Sequence, residues 1–173
     1  MTRLDELPPE RWRKIKLVVC DVDGVLTDGG IGITSDGADF KIFNAKDGAG
    51  FDLWHRAGGL TAFLTGRGGG AVERRAAELK VDCVIMQAAE KLPRLREIGE
   101  RLKVPLDEIL YVGDDFPDAP CLRAAGIGVA VADATAPALA AAAAVTTKTG
   151  GHGAVREIFD FLLAAKEQLT MHN

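Results

Sequence analysis

The chain has 173 residues, enough for one domain with a sizeable core. Hydrophobic residues make up 47% and charged residues 27%, which excludes a disordered or collagen-like chain. The net charge of -4, from 21 Lys+Arg against 25 Asp+Glu, gives no basic footprint for nucleic acid.

No apolar run approaches the roughly 20 residues that span a bilayer. Residues 1–16 are charged and carry Pro8-Pro9, which is not the pattern of a signal peptide. The apolar run at 17–20 is short and bounded by charge, as expected of a strand buried on both faces. Residues 31–33, the turn Ser35-Asp36-Gly37 and residues 39–43 then predict a β-hairpin, either a surface flap, a lid or an oligomer contact. After it, helix and strand alternate. Helices are expected over 45–57, 70–80, 89–103 and 117–125, with strands at 60–64, 83–86, 109–112 and 126–131. The alanine-rich stretch 134–144 is expected to be a plain helix. A last helix over about 154–169 places Val155, Ile158, Phe159, Leu162 and Leu163 at core-facing spacing. Strands alternating with helices predict an α/β fold, a Rossmann-like parallel sheet flanked by helices with right-handed crossovers. With no repeat and no linker-like boundary, residues 1–173 are expected to form a single domain. Cys20, Cys83 and Cys121 are scattered and form no CxxC pair, so they are expected to be buried thiols of a cytoplasmic protein, not metal ligands.

In open α/β sheets, ligands bind beyond the carboxyl ends of the strands. The polar residues that follow the apolar runs are therefore the candidates: Asp21 and Asp23 after the first, Thr65 and Arg67 after the second, Lys91 at a helix start, and Asp114 with Asp115 after a later strand. Each taken singly has a structural explanation, since Asp and Thr often cap helices and a lysine is often solvated. Together they point to chemistry. Clustered carboxylates repel one another and call for a hard cation. Magnesium suits such oxygen ligands and keeps room for a phosphate, with Asp21, Asp114 and a backbone carbonyl near Asp23 as its ligands. A carboxylate nucleophile at Asp21 could form an acyl phosphate. Lys91, the Thr65 hydroxyl and loop N–H groups near Gly24 would neutralise the phosphoryl oxygens. Asp23 would protonate the leaving alkoxide and then act as base on the acyl phosphate.

The run Asp21-Val22-Asp23-Gly24-Val25-Leu26-Thr27-Asp28-Gly29 resembles the first signature of the haloacid dehalogenase-like hydrolases. Thr65-Gly66-Arg67, Lys91 and Gly113-Asp114-Asp115 are similar to the second, third and fourth, in order. Across nearly the whole chain, Phe43-Asn44, Lys46-Asp47-Gly48, Val72-Glu73, Arg75, Tyr111-Val112-Gly113 and Gly150-Gly151 with 153–157 resemble the 3-deoxy-D-manno-octulosonate 8-phosphate phosphatase family. That resemblance implies hydrolysis of KDO 8-phosphate to KDO and phosphate in lipopolysaccharide precursor synthesis. It implies metal binding by Asp21, Asp23 and Asp114, with Asp115 supporting them. Substrate contacts are implied at Gly24, Asp47, Gly66, Arg67 and Arg75. It also implies a homotetramer associating through its hairpins, with a glycine-rich C-terminal segment reaching a neighbour's site.

Spacing adds an independent point. The gaps from Asp21 to Thr65 and from Thr65 to Lys91 hold no separate cap domain, so either the substrate is a macromolecule or neighbouring subunits close the site around a small sugar phosphate. Arg67 and Arg75 suit the substrate carboxylate, Arg being its preferred bidentate partner. Arg67 favours the octulosonate over a nononate or sialic acid 9-phosphate, whose phosphatases commonly carry Glu there. A phospho-accepting signalling domain fits less well, because its acceptor belongs on a later, central strand. The chain departs from the family in His152, where Arg is usual, and in Gly68-Gly69-Gly70. His55 and His172 are expected to be non-catalytic.

Overall fold

The structure, a computed structural model, describes residues 1–170, with side chains at all but 39 and 167–170; His172 lies outside the described residues. Six strands form one parallel sheet: β1 (Leu17–Cys20), β4 (Leu60–Leu64), β5 (Cys83–Ile85), β6 (Ile109–Gly113), β7 (Ile127–Ala130) and β8 (Ala144–Val145), in the order β5-β4-β1-β6-β7-β8. The remaining pair, β2 (Gly32–Ile33) and β3 (Asp39–Phe40), makes a separate antiparallel hairpin. The helices are α1 (Pro9–Lys14), α2 (Ala45–Arg56), α3 (Gly70–Glu78), α4 (Lys91–Leu102), α5 (Ala119–Ala124), α6 (Ala136–Ala141) and α7 (Ala154–Thr170).

Every residue of β1 is fully buried, as a strand covered by helices on both faces must be. Leu17 pairs with Leu60 on one side and Ile109 on the other, which puts β1 at the centre. The chain runs outward from β1 through β4 to β5, then returns to β6 on β1's other flank. The carboxyl ends of β4, β1 and β6 therefore meet at the switch point, where an open parallel sheet leaves a crevice. Helix α7 packs on α2 through Phe159, whose ring meets Phe51 edge-on at 5.0 Å and Trp54 at 6.2 Å. Two residues further along α7, Phe161 stacks on Trp12 of α1 at 5.6 Å.

Two expectations are corrected. The alanine-rich stretch is not one helix: α6 ends at Ala141, and Ala144–Val145 joins the sheet edge as β8. Alanine's helix propensity is small beside the open edge of β7, where Ala143 N–H bonds Gly128 O at 2.8 Å. The hairpin pairs over two residues per arm, shorter than the expected 31–33 and 39–43. No cap domain is present among the described residues.

Candidate active site

Asp21 leaves the end of β1, its N–H bonded to Val112 O of β6 at 3.0 Å. Its side chain is buried. Oδ1 accepts the Val22 N–H at 2.7 Å, and Oδ2 faces Lys91 Nζ at 2.7 Å. Lys91 opens α4, is itself buried, and donates also to Asp118 Oδ1 at 2.6 Å. Burial favours the neutral amine, but the two carboxylates outweigh it and hold the Lys91 pKa above its usual value. Burial, helped by the Asp118 charge, pushes Asp21 up to about 6 despite Lys91.

Asp114 follows β6 and is pushed up to about 8, first by burial and then by the charges of Asp21 and Asp118. Its Oδ1 is buried and has no hydrogen-bond partner. Gly24 makes room for this side chain. Its φ is +85°, and a Cβ there would lie 2.1 Å from Asp114 Oδ2.

Oxygens of Asp21, Asp114 and Asp118 lie within 4.8 Å of one another. Asp118 is no ligand candidate, however. Its Oδ1 takes Lys91 Nζ and the Tyr111 hydroxyl, each at 2.6 Å, and its Oδ2 takes the N–H groups of Asp114 and Asp115 at 3.1 and 3.2 Å. Four donors occupy its lone pairs. That leaves Asp21 and Asp114, two neighbouring carboxylates reluctant to ionise, and the orphaned Asp114 Oδ1 fits a hard cation such as magnesium.

Thr65 follows β4 and is buried. Its Oγ1 accepts the Arg67 N–H at 3.2 Å, leaving the hydroxyl proton to donate. Asp21, Asp23, Thr65, Gly66, Arg67, Lys91, Asp114 and Asp115 all line one cavity of about 370 Å³. Asp115 Oδ1 accepts Thr135 Oγ1–H at 3.1 Å and its own Phe116 N–H at 2.7 Å, fixing the loop behind Asp114.

Some expected contacts fall elsewhere. The Asp23 carboxylate is outside the acidic cluster; it pairs with Lys41 through Oδ1, and its Oδ2 stands 3.9 Å from Arg67 Nε. The Gly24 N–H is partly engaged, bonded to Thr27 Oγ1 at 3.3 Å. Asp47 does not reach the cavity: it sits buried at the start of α7, accepting the Arg156 N–H at 2.8 Å, because four uncapped N–H groups there attract a carboxylate. Arg75 lies in a different groove, of about 780 Å³ between α2 and α3, where it donates to Asn44 O at 3.2 Å and Glu78 at 3.0 Å. That groove is larger than the Asp21 cavity but holds none of the clustered carboxylates.

The glycine-rich segment is likewise turned inward on its own chain. Gly150 lies so close to the loop after β1 that a Cβ would stand 1.8 Å from Gly24 O, and Gly151 N–H bonds Val25 O at 2.9 Å. Tight backbone packing of this kind needs glycine and braces the loop that carries Asp23. His152 turns back onto Gly150 O at 2.8 Å. Sequence reasoning missed Asp118 and Lys41, and gave Tyr111 no role beyond the family resemblance. A short i+4 spacing from Asp114 was the one signal for Asp118; nothing local marks Lys41.

A buried carboxylate at the end of the central strand, a lysine against it and a second carboxylate poised for a cation are the groups of an α/β hydrolase site. The family model described as haloacid dehalogenase-like hydrolase matches residues 80–158. The chain is 39% identical over 155 residues to 3-deoxy-D-manno-octulosonate 8-phosphate phosphatase KdsC of Escherichia coli (strain K12), covering 90% of this chain and 82% of that one. It is 37% identical over 160 residues to the same-named protein of Yersinia pestis, covering 92% and 86%. A crystal structure of the Moraxella catarrhalis phosphatase, in complex with magnesium, phosphate and KDO, superposes with a TM-score of 0.89 at 36% identity, covering 95% of this chain and 97% of that one. The chain belongs to the 3-deoxy-D-manno-octulosonate 8-phosphate phosphatase family of haloacid dehalogenase-like hydrolases.

Proposed function

We propose that this protein hydrolyses 3-deoxy-D-manno-octulosonate 8-phosphate to KDO and phosphate, supplying a lipopolysaccharide precursor, through an aspartyl-phosphate intermediate. The observation that carries the reaction is Asp21 Oδ2, held 2.7 Å from Lys91 Nζ at the end of β1, with the unpartnered Asp114 Oδ1 beside it. The substrate reading is supported by the relatives, above all the Moraxella catarrhalis phosphatase that holds KDO and phosphate.

In the first step an Asp21 oxygen bonds to phosphorus. The bond from phosphorus to the sugar oxygen breaks, its electron pair leaves with that oxygen, and the oxygen takes a proton from Asp23. In the second step water gives a proton to Asp23 and attacks phosphorus, and the bond to Asp21 breaks. Lys91 Nζ and the free Thr65 hydroxyl proton stabilise charge on the transferring group. Asp21, Asp114 and a backbone carbonyl near Asp23 would hold magnesium, which when bound would supply positive charge to the transferring phosphoryl group. Gly66 and the half-exposed Arg67 face the cavity and would contact substrate.

The whole of residues 1–173 acts as one hydrolase domain in this reading, and the working enzyme is a cytoplasmic homotetramer with each site finished by a neighbour. Support for assembly comes from the hairpin, where Ile31, Ile33, Phe40 and Ile42 are 54, 68, 50 and 76% exposed. No helix among the described residues is long and apolar enough to cross a membrane. Phosphate release measured with magnesium over a panel of octulosonate and nononate phosphates tests the proposal. Equal or faster turnover of a nononate 9-phosphate would reject the substrate.

A further inference from the structure

We propose that Lys41 is a positioning residue for Asp23: it anchors one carboxylate oxygen so that the other is presented to the leaving group. This rests on the reading of Asp23 as the proton donor.

The returning arm of the hairpin alternates its side chains. Phe40 and Ile42 point outward, 50 and 76% exposed, whereas the Lys41 side chain between them is only 5% exposed. An ammonium is almost never buried to that degree without a partner, since desolvation is costly. Its partner is Asp23 Oδ1, eighteen residues back in the chain on the nucleophile loop. Among the described residues nothing else donates a hydrogen bond to the Asp23 carboxylate. Oδ2 is buried and without a hydrogen bond, and Arg67 Nε stands 3.9 Å away, beyond hydrogen-bonding reach.

The two oxygens therefore differ. Oδ1 is tethered by a hydrogen bond, and Oδ2 accepts none and meets only the longer ion pair with Arg67, on a side chain lining the same cavity as Asp21 and Lys91. Without the tether the Asp23 side chain is free to turn about its own bonds, and a misplaced proton donor loses rate steeply.

The test compares two leaving groups. A sugar alkoxide needs a proton as it departs; p-nitrophenolate does not. The ratio kcat/KM contains only the steps through the first irreversible one, here cleavage of the bond from phosphorus to the leaving oxygen. Lys41→Met is expected to lose about 100-fold in kcat/KM on KDO 8-phosphate, at the lower end of general-acid contributions, and less than about 3-fold on p-nitrophenyl phosphate. Lys41→Arg, which keeps a cationic donor, should stay within about 5-fold of the parent on both. In an Asp23→Asn background, Lys41→Met should cost less than about 2-fold more on KDO 8-phosphate. Equal losses on the two substrates, no loss on either, or a further tenfold loss in the Asp23→Asn background would each overturn the inference. If Lys41→Met does not fold, Lys41→Gln serves for the same comparison and must show the same selectivity. A parent enzyme inactive on KDO 8-phosphate defeats the functional reading instead, which keeps the two failures distinct.

Discussion

Lys91 Nζ lies 2.6 Å from Asp118 Oδ1, and this contact fixes the cation that faces Asp21. Asp118 is fully buried and is tied in turn to the Tyr111 hydroxyl and to two backbone N–H groups after β6. Lys91, proposed to neutralise the phosphate, is thus built into the scaffold before any substrate arrives, which is how electrostatic preorganisation works.

Breaking that scaffold should be costly. Lys91→Met leaves Asp21 and Asp118 buried without their cation, and removing one partner of a buried pair typically destabilises by about 3–5 kcal/mol. Chemical denaturation should show a loss of that order, together with undetectable turnover. Asp118→Asn keeps the shape but weakens the hold on Lys91, and is expected to cut kcat about tenfold or more although Asp118 is not the nucleophile.

Asp21→Asn should behave differently. Turnover of KDO 8-phosphate should fall at least about 1000-fold, since the attacking oxygen is lost. Stability should hold or rise in chelator, because one of the crowded carboxylates becomes neutral. A melting curve in EDTA that rises by a few degrees, beside absent phosphate release, is the expected pair of results. Retained activity would refute the nucleophile assignment.

The pH dependence of the metal-free protein follows from Asp21 and Asp114, raised from 3.8 to about 6 and about 8. Between pH 4 and those values the folded state holds protons that the unfolded chain has already released. Stability should therefore fall as pH rises through that window, with the penalty complete above about pH 8. Magnesium binds the deprotonated carboxylates, so its stabilisation should be larger at pH 8.5 than at pH 5.5, with protons released on binding at the lower pH. Melting temperatures with EDTA or magnesium at the two pH values check both signs. EDTA should also abolish turnover, and magnesium should restore it.

Gly24→Ala puts a methyl group where Asp114 Oδ2 now sits, at a φ of +85° that alanine rarely adopts. The expected outcome is weakened magnesium binding by calorimetry and a loss of activity that excess magnesium only partly repairs.

Charged substitutions on the hairpin test the assembly. Ile33→Asp with Ile42→Asp should leave the fold intact, because both side chains are exposed. Sedimentation should then show species smaller than the tetramer, with reduced turnover of the small substrate. An unchanged tetramer would remove the hairpin from the interface.

Much of this molecule is legible along the chain. Short buried runs such as Leu17–Cys20 declare a parallel sheet, because a strand covered on both faces has no polar side to show. Polar residues directly after those runs then fall at one rim, so Asp21, Thr65 and Asp114 could be placed from topology alone. Weaker local signals failed where tertiary bonds compete with them. Ala144–Val145 left the alanine helix for the sheet edge, and Asp47 was taken by the N-terminus of α7.

The sequence by itself determined that Asp21 follows the first buried strand, with a second carboxylate and a lysine at the same rim; that this strand is the central one was decided by its pairing with β4 and β6. Only the tertiary structure decided how each charge is held: Asp118 behind Lys91, Lys41 on Asp23, and Gly150 against the loop of Gly24. Strand-end positions follow from short-range periodicity. These contacts join segments 18 to 126 residues apart or couple one side chain to four donors, and their geometry exists only once the chain has closed around them.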